Sequence, residues 1–325
     1  MKNTITHFLT QIEETITNLK LPIKPENLYD PIRYILEGGG KRLRPLLVVS
    51  TYALYKENIS PALTPAVGLE VFHNFTLLHD DIMDNSSVRR NRPTVNKKWN
   101  ENIAILSGDA AMVIAYDLIA ETPPQSLYDT IKLFNKTALE VCEGQQYDMD
   151  FETRTDVSLS EYMEMIRLKT SVLIAAAMKM GALIAEAPKD EQNLLYEAGI
   201  NFGLAFQLQD DYLDTFGNIK TFGKKIGTDI IEKKKTFLLI NAYEKGDKEL
   251  VEKLDKTIND TTISNEDKIN IIKNIFKVLE LDKLIFNEIE KYYKKGLETL
   301  GRVKGDKYVK EQLIFLFDSL RTRNK

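Results

Sequence analysis

Residues 66–92 read AVGLEVFHNFTLLHDDIMDNSSVRRNR and combine an apolar helical pattern with three clustered aspartates. Asp80 and Asp84 are four residues apart, so they share one face of the predicted helix. Two carboxylates one turn apart repel each other, and burial increases the repulsion unless cations lie between them. The pattern therefore predicts a divalent-metal site, and its all-oxygen ligands favour Mg²⁺ over zinc or copper.

A second acidic motif, QDDYLD at residues 209–214, repeats this arrangement with Asp210 and Asp214. Acid pairs on helices are usually solvated surface charges, and one motif alone would favour that interpretation. Two motifs, each on an apolar helix and each followed by basic residues, favour bound metal instead. Gln207 lies one turn before the middle aspartate, Asp211, so we expect its amide to face the same site.

Basic residues accompany the acids. In EGGGKRLRP, residues 37–45, the glycines permit close backbone approach to a ligand, which Lys41 and Arg44 can then contact as an anion. Taken alone, this loop would be an ordinary basic helix start. Arg89 and Arg90 follow the first motif. They either form salt bridges with its aspartates or, if metal occupies those, bind phosphate.

Further polar residues interrupt the apolar helices. His73 lies two turns before the first motif and is either a satisfied core histidine or a donor to an anion. Lys169 and Thr170 interrupt a long helical run over residues 161–186, which is a weak signal by itself. Asp148, taken alone, is most simply a surface charge.

The pattern as a whole predicts helices. Gly199 and Gly203 precede the second motif and predict close packing of its helix against a neighbour. Thr64 and Pro65 predict the start of the helix that carries the first motif. No stretch alternates as a strand bounded by turns, and about ten or more segments have helical spacing. No linker separates the motifs, so we expect one all-α domain over residues 1–325, a helical bundle around a central apolar cavity.

Composition limits the possible partners and compartment. The formal net charge of −4 gives no indication of nucleic-acid binding. The single cysteine, Cys142, excludes a disulfide framework within the chain and fits a reducing compartment. Residues 1–20 lack the uninterrupted apolar core of a signal peptide, and no run approaches the ~20 apolar residues of a membrane span. These features predict a cytoplasmic protein without stable membrane insertion.

The surplus of both charge signs suits a diphosphate bridged by metal, because Mg²⁺ is shared between a few carboxylates and phosphate oxygens. The apolar residues around the motifs predict that the substrate has a hydrocarbon end. Metal makes the diphosphate a leaving group, and a dry apolar cavity protects the resulting carbocation from water. The dipoles of Thr170 and the amide of Gln207 are candidates to stabilise that cation.

The chain resembles the trans-isoprenyl diphosphate synthases, the polyprenyl synthetase family, over almost its whole length. The motifs GGGKRLRP, DDIMD with RR five residues later, GQQYD, KT, FQLQDDYLD and GKKIGTD stand in the family's order. The resemblance implies an isoprenoid synthase-like fold and a homodimer. It also implies Mg²⁺-dependent head-to-tail condensation of isopentenyl diphosphate with dimethylallyl, geranyl or farnesyl diphosphate, giving a short-chain all-trans prenyl diphosphate.

The same resemblance implies a role for each site residue. Three Mg²⁺ ions per active site would be bound by Asp80, Asp84, Asp210, Asp214 and, through the water shell, Asp148. Isopentenyl diphosphate would be bound by Lys41, Arg44, His73 and Arg90. The allylic diphosphate would be bound by Arg89, Lys169 and Lys225. The catalytic residues would be Lys169, Thr170 and Gln207, of which the last two face the cation. The released pyrophosphate would accept the proton.

Product length depends on two further positions. In the family that the chain resembles, side chains five and four positions before the first aspartate form part of the pocket floor. Here they are Phe75 and Thr76. One helical turn is ~5.4 Å, so a bulky group there stops the chain early. Phe75 provides a floor, Thr76 leaves some room, and we expect a C20 product in preference to C15.

Alternative functions share parts of this pattern. A class I terpene cyclase also has an acidic metal motif, but it usually carries an NSE-type second motif, and Lys41 and Arg44 would be redundant in it. A non-catalytic helical partner subunit of a prenyl synthase would have lost some of the acids, and here both motifs are intact. A ferritin-like metal bundle would need ExxH pairs among its ligands.

Overall fold

The computed structural model describes residues 4–217 and 226–321. Within these ranges the chain is almost entirely helical, so the predicted all-α fold class is confirmed. The elements are α1 (Ile5–Thr17), α2 (Glu26–Glu37), α3 (Leu43–Ala53), α4 (Ser60–Met83), β1 (Val88–Arg89), β2 (Arg92–Pro93), α5 (Val95–Lys98), α6 (Glu101–Ala120), α7 (Pro124–Thr153), α8 (Leu159–Ile166), a π-helical turn (Arg167–Ser171), α9 (Val172–Ile184), α10 (Lys189–Phe216), α11 (Thr228–Ile231), α12 (Phe237–Lys245), α13 (Lys248–Asn259), α14 (Asn265–Val278), α15 (Leu281–Gly301) and α16 (Lys307–Arg321).

Backbone contacts divide the chain into two compact units. Unit 1 comprises the described residues of Met1–Asn135, Ala176–Leu195 and Lys304–Leu313. Unit 2 comprises the described residues of Lys136–Ala175, Tyr196–Val303 and Ile314–Lys325. The first acidic motif belongs to unit 1 and the second belongs to unit 2.

Helix α4 carries the first acidic motif and packs against α1, α3 and α6 within unit 1. Its buried residues include the small or branched side chains of Ala62, Ala66 and Val67. Gly68 permits close approach of α6, because a Cβ on this glycine would lie 2.8 Å from Ile119 Cγ1. The motif therefore stands at the end of a helix that its neighbours hold in place.

The start of α4 differs from the sequence prediction. The helix begins at Ser60, so the predicted start at Thr64 and Pro65 is wrong. Pro61 lies in the first turn, where its missing N–H costs no helical hydrogen bond. Pro65 lies inside the helix, where its nitrogen cannot donate to the carbonyl of Pro61. Pro65 is itself buried, so packing of this segment offsets the one lost hydrogen bond.

A short hairpin follows the first motif, although the sequence showed no strand pattern. Strands β1 and β2 are antiparallel, and Arg89 pairs with Arg92. The two turn residues, Arg90 and Asn91, have φ angles of 53° and 59°. Positive φ at both positions is what a two-residue type I′ turn requires. The hairpin brings Arg89 back to the acidic end of α4.

In unit 2, the long helix predicted over residues 161–186 is interrupted by the π-helical turn between α8 and α9. Neighbouring helices approach this turn at two glycines. A Cβ on Gly144 of α7 would lie 2.3 Å from the backbone nitrogen of Lys169, and one on Gly203 of α10 would lie 2.5 Å from Ser171 Cα. Gly199 is similarly close to Ala175, so the close packing predicted for α10 is confirmed.

Among the described residues, one helix, α6, is long and apolar enough to cross a membrane, and 33% of its apolar window is buried in the protein. Core helices of globular proteins meet the same criteria of length and composition. The finding therefore does not assign a membrane span.

Candidate active site

The first acidic motif is bound to the hairpin by a salt bridge. Arg89 Nε donates to Asp81 Oδ1 at 2.8 Å, and Arg89 Nη2 donates to Asp80 Oδ2 at 3.1 Å. Of the two alternatives for Arg89, the structure shows the salt bridge with the aspartates. Asp84 caps the C-terminus of α4, and its backbone N–H donates to the carbonyl of Asp80 at 2.9 Å.

The three aspartates of this motif differ in burial. Asp81 is 3% exposed, whereas Asp80 and Asp84 are partly exposed. Burial is the largest influence on Asp81 and raises the pKa of its carboxyl to about 6, with Arg89 lowering the pKa and Asp80 and Asp84 raising it. The helix thus directs its middle acid inward and leaves the predicted metal ligands partly open to solvent.

The second motif also buries its middle acid. Asp211 is 5% exposed and accepts hydrogen bonds from the Tyr162 hydroxyl, from Gln207 Nε2 at 3.2 Å and from the backbone N–H of Phe237 at 3.4 Å. Burial is the main cause that raises the pKa of Asp211 to about 7. Asp210 is partly exposed.

Asp214, the last acid of the second motif, is buried and holds the start of α11. Its Oδ1 accepts from the backbone N–H of Thr228 at 3.2 Å, and its Oδ2 accepts from that of Asp229 at 3.1 Å. Its carbonyl accepts from the backbone N–H of Gly227 at 2.6 Å. Asp214 therefore fixes the chain that follows the second motif, in addition to its predicted metal role.

The donor set fits Mg²⁺. Over residues 4–217 and 226–321, no three His, Cys, Asp or Glu side chains are close enough to form a complete metal-binding group. Each motif instead offers carboxylates in pairs or singly, namely Asp80 with Asp84, and Asp210. Mg²⁺ retains waters and shares substrate phosphate oxygens, so it needs few protein ligands. Asp80 with Asp84 would hold such an ion in unit 1, and Asp210 would hold one in unit 2.

Unit 1 also contains a cationic cluster, formed by Arg44, His73 and Arg90. The pKa of His73 lies well below its usual value, first because of burial and then because of Arg44 and Arg90, so its imidazole is neutral near pH 7. Arg90 donates to the carbonyl oxygen of Gly39, and Gly40 leaves room for the Arg90 guanidinium, whose Cζ would lie 3.0 Å from an added Cβ. Three predicted substrate-binding residues are therefore brought together.

The remaining residue of that predicted set, Lys41, is exposed at the end of the glycine loop. It directly precedes Arg42, whose backbone has a φ of 47°. Lys225, predicted to bind the allylic diphosphate, lies outside the described residues.

The π-helical turn of unit 2 unites the predicted catalytic residues. Lys169 Nζ donates to Asp148 Oδ2 at 2.6 Å. The Thr170 hydroxyl donates to Gln207 Oε1 at 2.9 Å, and Gln207 in turn donates to Asp211. π-Helical turns occur frequently at functional sites. The turn therefore directs Lys169 to the carboxylate of Asp148 and Thr170 to the side-chain amide of Gln207.

The predicted floor residues lie on α4, before the first motif. The Phe75 ring packs on Phe72, with centroids 5.6 Å apart, and on His79, with centroids 4.8 Å apart. Phe72 stacks edge-on against Phe134 at 5.0 Å. Thr76 is partly buried, and its hydroxyl donates to the carbonyl of His73 at 2.8 Å. Aromatic neighbours thus hold the Phe75 ring in place.

Comparison with known proteins identifies the class. The family model described as Polyprenyl synthetase matches residues 25–276. The geranylgeranyl diphosphate synthase of Methanosarcina mazei is 40% identical over 284 residues, which cover 85% of this chain and 86% of that protein. The geranylfarnesyl diphosphate synthase of Natronomonas pharaonis is 37% identical over 246 residues, 70% of this chain and 72% of that protein. The crystal structure of a geranylgeranyl pyrophosphate synthase has a TM-score of 0.93 at 44% identity, covering 99% of this chain and 100% of that one.

Helical fold, paired acidic motifs and these relatives define a prenyltransferase with the isoprenoid synthase fold, as the sequence predicts. The chain belongs to the polyprenyl synthetase family. The prediction of a short-chain trans-prenyltransferase is confirmed.

Proposed function

We propose that the protein condenses isopentenyl diphosphate with dimethylallyl, geranyl or farnesyl diphosphate and releases all-trans geranylgeranyl diphosphate, a C20 product. One observation carries the proposal: unit 1 holds a partly exposed acid pair, Asp80 and Asp84, and also the cationic cluster Arg44, His73 and Arg90. The acid pair suits a metal-bound diphosphate, and the cationic cluster suits a diphosphate bound directly. A condensation of two diphosphates requires both kinds of site.

Isopentenyl diphosphate binds to the cationic cluster together with Lys41. Arg44 and Arg90 supply charge and paired N–H donors to the phosphate oxygens, while Lys41 contributes a point charge. His73 is neutral and donates a ring N–H, so it adds a hydrogen bond without further repulsion between cations.

The allylic diphosphate would bind with three Mg²⁺ ions. Asp80 and Asp84 would hold two of them, and Asp210 with Asp214 would help hold the third. When bound, Mg²⁺ neutralises the charge that develops on the leaving diphosphate. The other residues proposed for this end of the substrate are Arg89, Lys169, Lys225 and, through metal-bound water, Asp148.

The protein's own residues then protect the allylic cation. The C1–O bond breaks and its electron pair leaves with the diphosphate. The alkene of isopentenyl diphosphate forms a new bond to C1, and the released diphosphate takes the proton that the adduct loses. Thr170 and Gln207 place their oxygen dipoles near the cation, and their mutual hydrogen bond at 2.9 Å fixes both groups before the reaction. Lys169 stays at the diphosphate end.

Phe75 ends the growing chain. Its ring is held by Phe72 and His79 and cannot turn aside without losing both contacts. Thr76, one helical turn before Asp80, is small and leaves room for the chain. Phe75, one residue earlier in the sequence, therefore forms the floor. This arrangement supports C20, which agrees with the name of the Methanosarcina mazei relative. A C25 product, as in the name of the Natronomonas pharaonis relative, is the nearest alternative.

We infer a homodimer formed through α6. Leu106 and Val113 are seven residues apart on one face of this helix and are 59% and 61% exposed. Ile105 beside them is 44% exposed, and a second copy of the chain would cover such a patch. Light scattering after size exclusion should give twice the chain mass. The double variant Leu106→Glu and Val113→Glu should give the monomer.

We also propose a cytoplasmic location. The single domain over residues 1–325, with its central apolar cavity for the hydrocarbon end of the substrate, is part of the same proposal. The exposed thiol of Cys142 supports the location, since a reducing compartment keeps such a group free.

The metal ligands provide the experiment. Asp80→Asn and Asp210→Asn should each lower kcat with isopentenyl and farnesyl diphosphates by more than about 100-fold, the scale of losing one preorganised electrostatic group. Asp190→Asn is the matched control, because Asp190 is exposed in the first turn of α10. Chelation of Mg²⁺ should abolish the wild-type rate. Full activity of both motif variants would contradict the proposed metal sites.

A further inference from the structure

Arg42 is a buried cation at the centre of the basic loop. It is 4% exposed, whereas Lys41 next to it is exposed and Arg44 is partly exposed. Its backbone is left-handed, with φ 47° and ψ 35°, at the position that precedes the first residue of α3. A non-glycine residue such as arginine adopts this conformation only where surrounding contacts hold it there.

Acceptors from three helices surround its guanidinium. Arg42 Nε donates to Glu13 Oε1 of α1 at 2.8 Å, and Nη1 donates to Glu70 Oε1 of α4 at 3.2 Å. Nη2 donates to the carbonyl of Leu36 in α2 at 2.7 Å. Asn74 supports Glu70 from the next turn of α4, with its Nδ2 at 3.3 Å from Glu70 Oε1. A buried charge persists only with partners of this quality, so the network fixes one position for Arg42.

The fixed position of Arg42 determines where its neighbours stand. Lys41 precedes it directly, and Arg44 follows two residues later in the first turn of α3. On the other side of the loop, Arg90 donates to the carbonyl of Gly39. The loop is therefore held by the buried contacts of Arg42 and by the hydrogen bond from Arg90 to the Gly39 carbonyl.

We propose that Arg42 is a positioning residue for the isopentenyl diphosphate subsite. It touches no substrate, and it acts by holding Lys41 and Arg44 in the arrangement that binds this diphosphate. The inference rests on the proposed function, in which these two residues bind isopentenyl diphosphate. The proposal distinguishes the two substrates, because the hydrogen bonds of Arg42 go to Glu13, Glu70 and Leu36, and none of these belongs to the residues proposed for the allylic diphosphate.

The test is Arg42→Lys, which keeps the charge and loses the fork of donors. We expect KM for isopentenyl diphosphate to rise by about tenfold or more, because small displacements of positioning groups have effects of that size. KM for farnesyl diphosphate and kcat should stay within about twofold. Arg33→Lys is the matched control, because Arg33 also joins a carboxylate, Asp30, to two carbonyl oxygens, those of Leu21 and Pro22.

A second measurement does not depend on activity. Hydrogen exchange of the peptide covering residues 38–45 should be faster in Arg42→Lys than in the wild type and unchanged in Arg33→Lys. If Arg42→Lys does not fold, Glu13→Gln replaces it, because Glu13 is exposed and the substitution weakens the same network at its surface end. A parallel rise of both KM values, or unchanged exchange in the loop, would overturn the proposal. A wild type that fails to condense would instead overturn the proposed function, and hydrogen exchange would still decide the role of Arg42.

Discussion

The hydroxyl of Tyr162 on α8 donates a hydrogen bond to Oδ2 of Asp211, the middle acid of the second motif. The other oxygen of this carboxylate accepts from Gln207, whose own carbonyl oxygen accepts from Thr170. Asp211 is thus a buried acceptor that orients an amide. The metal-binding role that we propose for this motif falls to the acids on either side of it.

Loss of the Tyr162 hydroxyl should therefore be costly. Tyr162→Phe leaves Oδ2 of the buried Asp211 with the long bond from the backbone N–H of Phe237 at 3.4 Å, so we expect a loss of about 1–3 kcal/mol in the free energy of unfolding. Urea denaturation measures this loss, and kcat should fall as the orientation of Gln207 loosens. Tyr243→Phe is the control, because the Tyr243 hydroxyl bonds Asp255 at 2.8 Å on the exposed surface. Equal effects of the two substitutions would show that the buried network has no special role.

The π-helical turn provides a second prediction. Gly144→Ala would place a methyl group 2.3 Å from the backbone nitrogen of Lys169, so the turn must shift. We expect a loss of about 1–3 kcal/mol in unfolding free energy, typical of overpacking, and a fall in kcat because Lys169 and Thr170 move together. Gly301→Ala is the control, since nothing lies within 4 Å of a Cβ added there. Wild-type kcat in Gly144→Ala would mean that the turn tolerates displacement.

Some of this arrangement follows from the sequence, and some depends on the tertiary structure. Helical spacing places Asp80 and Asp84 on one face and Asp81 on another, but α4 is apolar on all sides, so spacing alone does not say which face is buried. Tertiary contacts decide that, since Arg89 of the hairpin and Asn96 of α5 both hydrogen-bond Asp81. The hairpin after the motif gives almost no periodic signal, because each strand has two residues.

Two features are invisible in local sequence. The π-helical turn at Lys169 depends on the close approach of α7 at Gly144, which lies far away in the chain. In the loop sequence KRLR, the three basic residues look equivalent. The inward direction of the Arg42 side chain is set by Glu13, 29 residues before it, and by Glu70, 28 residues after it. In contrast, the acidic motifs were recognisable because their chemistry requires acids at fixed helical spacing.

Product length tests the floor. Phe75→Ala removes the ring that rests on Phe72 and His79, so the pocket deepens and we expect products of C25 or longer. Chromatography of the dephosphorylated products gives their lengths. Phe286→Ala is the control, because Phe286 is an exposed phenylalanine on α15. An unchanged C20 product from Phe75→Ala would remove this residue from the floor.

The N-terminus of α8 predicts an acid-dependent contribution to stability. Glu161 accepts hydrogen bonds from Arg154 and from the Ser158 cap, and its pKa is lowered to about 2, mainly by Arg154. A lowered pKa stabilises the folded state above the usual value of about 4.5, and this contribution disappears as the pH falls from there to about 2. Melting temperatures over this range should therefore fall less steeply in Glu161→Gln than in the wild type.

The control for this pH dependence is Glu249→Gln, because Glu249 is an exposed acid in the first turn of α13. Its melting temperature should fall as steeply as that of the wild type when the pH is lowered. Identical slopes in all three proteins would contradict the assignment to Glu161.

Condensation is measured by incubating the wild-type protein with Mg²⁺, isopentenyl diphosphate and each allylic primer, and identifying the products by mass spectrometry. We expect all-trans geranylgeranyl diphosphate from dimethylallyl, geranyl and farnesyl primers, with equimolar release of diphosphate at each addition. Absence of condensation with every primer, or a cyclic hydrocarbon as formed by a terpene cyclase, would contradict the proposed function.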